Sequence, residues 1–160
     1  FTEGAKSVGH TVTRFDLQKM DIHGCLGCVK GGKDAASPCV QKDDMAKIYP
    51  VYKEADIVVL ASPMYYWGIS GQLKTAFDRL FAVAECNPGY ANPKKRCALI
   101  MAAEGNSADN WKPVIDYYHA LLGFLEWKDL GQVLAGGVFD AGAVAGQPVV
   151  KEAFNFGASL

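Results

Sequence analysis

The run Ile57-Val-Val-Leu-Ala, then Ser62-Pro63-Met64-Tyr65-Tyr66-Trp67-Gly68, then apolar residues at helical spacing, most restricts the folds open to this chain. A short β-branched run without a polar residue reads as a strand buried on both faces, as in a parallel sheet. Beyond Gly71, Leu73, Ala76, Phe77, Leu80, Phe81 and Ala84 recur every three or four positions, with Lys74, Asp78 and Arg79 turned the other way. That spacing predicts an amphipathic helix. Strand, loop and helix make half of a βαβ unit. In open α/β sheets, planar cofactors and substrates bind at the carboxyl edge of the strands.

The other segments extend the pattern. Residues 1–9 read as the end of a helix stopped by Gly9, and residues 11–17 as an edge strand. Residues 18–41 form a long irregular loop carrying Cys25, Cys28 and Cys39. Asp43 and Asp44 open a helix whose buried face is Met45, Ile48, Tyr49 and Tyr52, with Pro50 expected to break or kink it near Tyr49. A turn-rich connection over 85–96 ends in Lys94-Lys95-Arg96, read as a solvated turn. Residues 97–102 are a second buried strand, 103–110 a second loop at the same edge, and 111–122 a helix ended by Gly123. Residues 127–134 supply a last strand. Pro148 opens a final helix with Val149, Val150, Ala153 and Phe154 inward and Gly157 as its stop. Alternating strands and helices give an α/β fold with a mostly parallel sheet.

Composition narrows the function. The chain has 160 residues, one domain by length, of which 50% are hydrophobic and 21% charged, with a formal net charge of -1. That balance lacks the basic stripe of a nucleic-acid binder, and no apolar run reaches membrane-spanning length. Five cysteines without a secretory leader point to reduced thiols in the cytoplasm.

The aromatic loop is the candidate site. A planar, amphipathic ring needs aromatic faces and backbone donors at its edge. Ser62 before Pro63 holds the loop extended, Met64, Tyr65, Tyr66 and Trp67 offer ring contacts and N–H groups, and Gly68 lets backbone come close. The alternative is that these aromatics pack beneath a loop or at a dimer contact.

Cys25-x-x-Cys28, Pro38-Cys39 with Lys42-Asp43-Asp44-Met45, Glu54-Ala55-Asp56, Ser62-Pro63-Met64-Tyr65, Leu73-Lys74 with Phe77-Asp78-Arg79, and Lys151-Glu152-Ala153 with Gly157 are spread along nearly the whole chain. Together they resemble the flavodoxin-like NAD(P)H-dependent FMN reductases, in the branch of multimeric flavin oxidoreductases and iron–sulfur flavoproteins. The resemblance implies a flavodoxin-like open parallel sheet with helices on both faces, a three-layer sandwich. It implies FMN as cofactor, NAD(P)H as co-substrate, and hydride transfer through the flavin to a small-molecule acceptor such as a quinone or free flavin. It places the isoalloxazine on Ser62, Pro63, Met64, Tyr65, Tyr66, Trp67 and Gly68, flanked by Glu104 and Gly105. It also favours a homodimer or higher homo-oligomer.

Members of that family begin with a strand and a Gly/Ser/Asn-rich loop that cradles the FMN phosphate at a helix amino terminus. Nothing in residues 1–20 fits that loop, so residues 1–160 are expected to be a single flavodoxin-like domain, incomplete at its amino end. Iron–sulfur members hold a cubane cluster with four cysteines. Here Cys25, Cys28 and Cys39 stand alone, His23 is the one neighbour that could complete a zinc set, and ordinary loop thiols with no metal are expected. Cys97 reads as core. His10, His23 and His119 form no acid/base set, and no catalytic side chain is required, because a flavin carries the hydride chemistry. Two other readings stand beside the enzyme: a non-enzymatic flavodoxin-like electron carrier, and a cofactor-free interaction domain without its phosphate loop.

Overall fold

The computed structural model describes all residues from Phe1 to Leu160. The chain divides into two compact units, one of Phe1–Arg14, Val59–Ser70 and Arg96–Leu160, the other of Phe15–Val58 and Gly71–Lys95.

The sheet runs in the order β1 (Ile57–Pro63), β2 (Arg96–Ala102), β3 (Lys128–Ala135), with all but the first two residues of β1 in the first unit. Strands β2 and β3 run parallel, with one register shift between Cys97 and Ala98. At that shift Asp129 accepts the Gly131 N–H at 2.8 Å, and the Tyr118 hydroxyl lies 3.0 Å from the Cys97 carbonyl and 2.9 Å from Asp129 Oδ1. Cys97, Ala98, Leu99 and Met101 are sealed in the core beneath Trp111, Val114, Tyr118 and Leu122 of α5 (Ala108–Leu125).

Strand β1 differs from its expected burial on both faces. Leu60 and Ser62 are buried while Ala61 and Pro63 are exposed, the alternation of a strand covered on one face only. The strand expected over 11–17 does not form: residues 11–16 belong to no strand or helix, and Leu17–Lys19 is a single 3-10 turn. A β-prone segment becomes a strand only where a neighbour accepts its ladder of hydrogen bonds.

Two glycines act differently from one another. Gly9 ends α1 (Thr2–Ser7) with φ 96, as a helix stop should. Gly157 lies inside α6 (Pro148–Ala158), where a β-carbon would sit 2.2 Å from the Phe1 carbonyl oxygen. Gly4 of α1 meets the Phe154 carbonyl equally closely, at 2.0 Å. The pair lets α1 and α6 touch backbone to backbone, so Gly157 is a crossing point and not a terminator. Phe156, edge-on to Phe1, takes the inward position, and Val150 and Phe154 stay exposed. Likewise α5 runs through Gly123 to Leu125 and turns at Glu126, φ 55.

The second unit contains α2 (Met45–Glu54), α3 (Gly71–Arg79) and α4 (Phe81–Ala84). Met45, Ile48, Tyr49 and Tyr52 form the buried face of α2, which continues through Pro50 without a break. Arg79, expected to face solvent, is 1% exposed. Lys95 is not part of a solvated turn either. It is buried, and its Nζ donates to the Lys53 and Ala55 carbonyls at the end of α2 and lies 5.3 Å from the Tyr52 ring centre.

Candidate active site

Three loops leave the carboxyl ends of β1, β2 and β3 within the first unit, and hydrogen bonds past the strand ends tie them together. Met64 N–H donates to the Ala102 carbonyl at 2.9 Å, Ala103 N–H to Ala135 at 2.9 Å, and Val138 N–H to Ala103 at 2.9 Å. Gly137 N–H reaches the Glu104 carbonyl at 3.0 Å. The edge is therefore one continuous ledge of backbone.

On the β1 loop, Tyr65 and Gly68 exchange two backbone hydrogen bonds of 3.0 Å around a tight turn. Its central residues are Tyr66 at φ 49 and Trp67 at φ 59. Both lie in the left-handed region, which costs an L-residue about 1–2 kcal/mol. The turn pushes the rings outward: Tyr65 is 61% exposed, Tyr66 98% and Trp67 56%. Ser62 sits beneath, with its hydroxyl accepting the Ser70 N–H and donating to the Pro63 carbonyl, both at 2.8 Å. Its hydroxyl is committed to shaping the loop. Met64 and Gly68 are half-buried, and Pro63 is exposed.

On the β2 loop, Glu104 is exposed and Gly105 half-buried. The loop ends at Ser107, which caps α5 by accepting the Asn110 N–H at 3.2 Å and so brings the positive end of that helix dipole to the ledge. The Asn110 side chain presses on Gly105, where a β-carbon would sit 2.6 Å from it. Asn106 approaches Gly136 in the same way, at 2.1 Å. Asn110 Nδ2 is buried without an acceptor. Buried donors of this kind cost about 1–3 kcal/mol when unpaired. The sequence held no signal for this atom beyond an amide three residues before Pro113 in the same helix.

These residues fit one end of a flavin. They offer exposed ring faces, backbone that can come close at Gly68 and Gly105, and an unspent amide donor. A wider cleft of about 620 Å³ lies between β3 and α6, lined by Gln132, Val133, Lys151, Asn155 and Phe156, and includes none of these loop residues.

A family model described as NADPH-dependent FMN reductase matches residues 1–137. An iron-sulfur flavoprotein of Archaeoglobus fulgidus is 39% identical over 72 residues, covering 45% of this chain and 32% of that protein. The FMN-dependent NADH:quinone oxidoreductase 6 of Burkholderia lata is 33% identical over 94 residues, covering 52% of this chain and 46% of its own. The chain thus spans less than half the length of either relative. The crystal structure of azoreductase AzrA superposes with a TM-score of 0.67 at 19% identity, covering 99% of this chain and 88% of that one, which establishes the flavodoxin-like fold.

Proposed function

The chain belongs to the NADPH-dependent FMN reductase family, and from that premise we propose that it serves an FMN-dependent oxidoreductase. A hydride enters from NAD(P)H and leaves to a small acceptor such as a quinone or free flavin. The observation that carries this reading is the strained aromatic turn, Tyr66 and Trp67, on the same ledge as the unpartnered Asn110 Nδ2. Strain and an unmade hydrogen bond persist in folded proteins where a ligand uses them.

When bound, the flavin supplies the hydride chemistry, and the side chains orient and shield it. In this assignment Tyr65, Tyr66 and Trp67 give the ring its apolar faces, while Met64 and Gly68 present backbone to its edge. Glu104 and Gly105 flank it, Asn110 donates to one of its acceptor atoms, and Ser62 with Pro63 holds the loop in register. No helix is long and apolar enough to cross a membrane, and we place the protein in the cytoplasm as a homodimer or higher oligomer. The exposed rings of Tyr65 and Trp67 suit a pocket that a second subunit closes.

The test is a titration of the purified chain with FMN, read by quenching of flavin fluorescence, followed by anaerobic addition of NADH or NADPH. Quenching and bleaching of the flavin band are expected, both weakened by Trp67→Ala and Asn110→Ala. Unquenched flavin at millimolar protein, together with no bleaching, would overturn the reading.

A further inference from the structure

The second unit holds a feature that the flavin site does not use. A small cavity of about 50 Å³ is lined by Cys25, Cys28 and Cys39 together with Arg79, Phe81 and Glu85. Arg79 is sealed at 1% exposure, and its Nη1 and Nη2 are spent on Asp43 and the His23 carbonyl. Its Nε is buried without an acceptor. Cys39 lines the same cavity as this guanidinium. A cationic donor with no acceptor, next to a thiol, calls for an anion at that position.

The cubane cluster of the iron-sulfur relatives does not fit this donor set. It needs four thiolates, and three cysteines line the cavity. No group of three or more His, Cys, Asp or Glu side chains is arranged to hold a metal ion. A space of about 50 Å³ takes a water or two and not eight cluster atoms.

We propose that Cys28 and Cys39 form a reversible dithiol–disulfide pair, oxidised by low-molecular-weight disulfides, with Cys39 the attacking thiolate and Arg79 the group that meets its charge. Cys28 and Cys39 are the half-buried members, whereas Cys25 is exposed and its sulfur accepts the Gly27 N–H at 3.4 Å. The intervening loop is already drawn closed: Gly32 N–H donates to the Pro38 carbonyl at 2.9 Å, one residue before Cys39. Gly31 and Gly32 pack directly on Glu85, where a β-carbon on either would sit 2.3 Å from a Glu85 oxygen. The Cys39 thiolate attacks one sulfur of the small disulfide, giving a mixed disulfide and releasing one small thiolate. The Cys28 thiolate then attacks the Cys39 sulfur, forming the protein disulfide and releasing the second. The two protons from the cysteines end on the two small thiols, and the small disulfide takes both electrons.

The full reduced chain, treated anaerobically with oxidised glutathione and then quenched with maleimide in denaturant, tests this by intact mass and peptide mapping. Two of the five thiols are expected to disappear, with a Cys28–Cys39 link. Cys25→Ser should leave that link unchanged, Cys28→Ser should stall with glutathione on Cys39, and Cys39→Ser should give no link. Arg79→Lys should slow the reaction of Cys39 about tenfold and leave that of Cys25 unaltered. Should Arg79→Lys not fold, the rates of adduct formation in Cys28→Ser decide: faster reaction at Cys39 than at Cys25 is expected. A Cys25–Cys28 link, equal adducts at all exposed thiols, or uptake of four irons that protects Cys25, Cys28 and Cys39 together would overturn the proposal.

Discussion

The Asp43 carboxylate grips the Arg79 guanidinium at 2.6 and 3.2 Å across 36 residues of sequence, with the two side chains 0% and 1% exposed. Asp43 also accepts the backbone N–H groups of His23 and Met45, both at 3.1 Å. The long cysteine loop, the start of α2 and the end of α3 therefore share one buried ion pair.

Breaking one side of that pair leaves an uncompensated buried charge. Arg79→Met is expected to cost about 3–5 kcal/mol, read as a fall in the urea midpoint. Adding Asp43→Leu recovers only part of the loss, because the His23 and Met45 N–H groups then lack their acceptor.

The same pair sets a pH dependence. Burial alone would push the Asp43 carboxyl up, but hydrogen bonds from Arg79, His23 and Met45, with the charge of Arg79, hold it below the usual carboxylate range. A carboxyl lowered in the folded state contributes stability that is present above its unfolded value of about 4 and is lost as pH falls through the folded value. Urea midpoints of the wild type should therefore drop below pH 4, and those of Asp43→Asn should drop less over the same interval.

Gly157→Ala places a methyl against the Phe1 carbonyl. Overpacking of this kind costs about 1–3 kcal/mol. The expected signature is a lower melting temperature with faster amide exchange in α1 than in β2.

Lys95→Met removes the donor to the Lys53 and Ala55 carbonyls while keeping the stem over Tyr52. A loss of about 1–3 kcal/mol is expected in guanidinium unfolding. Lys94→Met, one residue earlier, is expected to change stability less.

Tyr66 is almost wholly exposed and sits at positive φ. Tyr66→Gly should raise stability by about 0.5–1 kcal/mol, the relieved strain exceeding the added chain entropy. It should also weaken FMN binding in the fluorescence titration. A gain in stability with unchanged binding would show that the turn is strained for a reason other than the flavin.

Periodicity and punctuation made much of the frame legible. The buried face of α2, the core strand β2, the proline that opens α6 and the aromatic loop after β1 all follow from residue order, because helical and strand spacing and proline geometry are local. Where a contact spans the chain, local spacing misleads. Arg79 falls on the polar face of α3, yet it turns inward because Asp43 meets it there. Lys95 reads as a turn residue, but two carbonyls at the end of α2 desolvate it.

Gly157 shows the same division at a single atom: the sequence marks a helix stop, and only the approach of Phe1 turns the position into a crossing. Asn110 shows it at the site. The chain by itself determined which strands carry the loops and which rings stand on them. The tertiary structure alone decided that an amide of the neighbouring loop is left with an unmade hydrogen bond, since satisfaction of a buried donor depends on what folding brings near it.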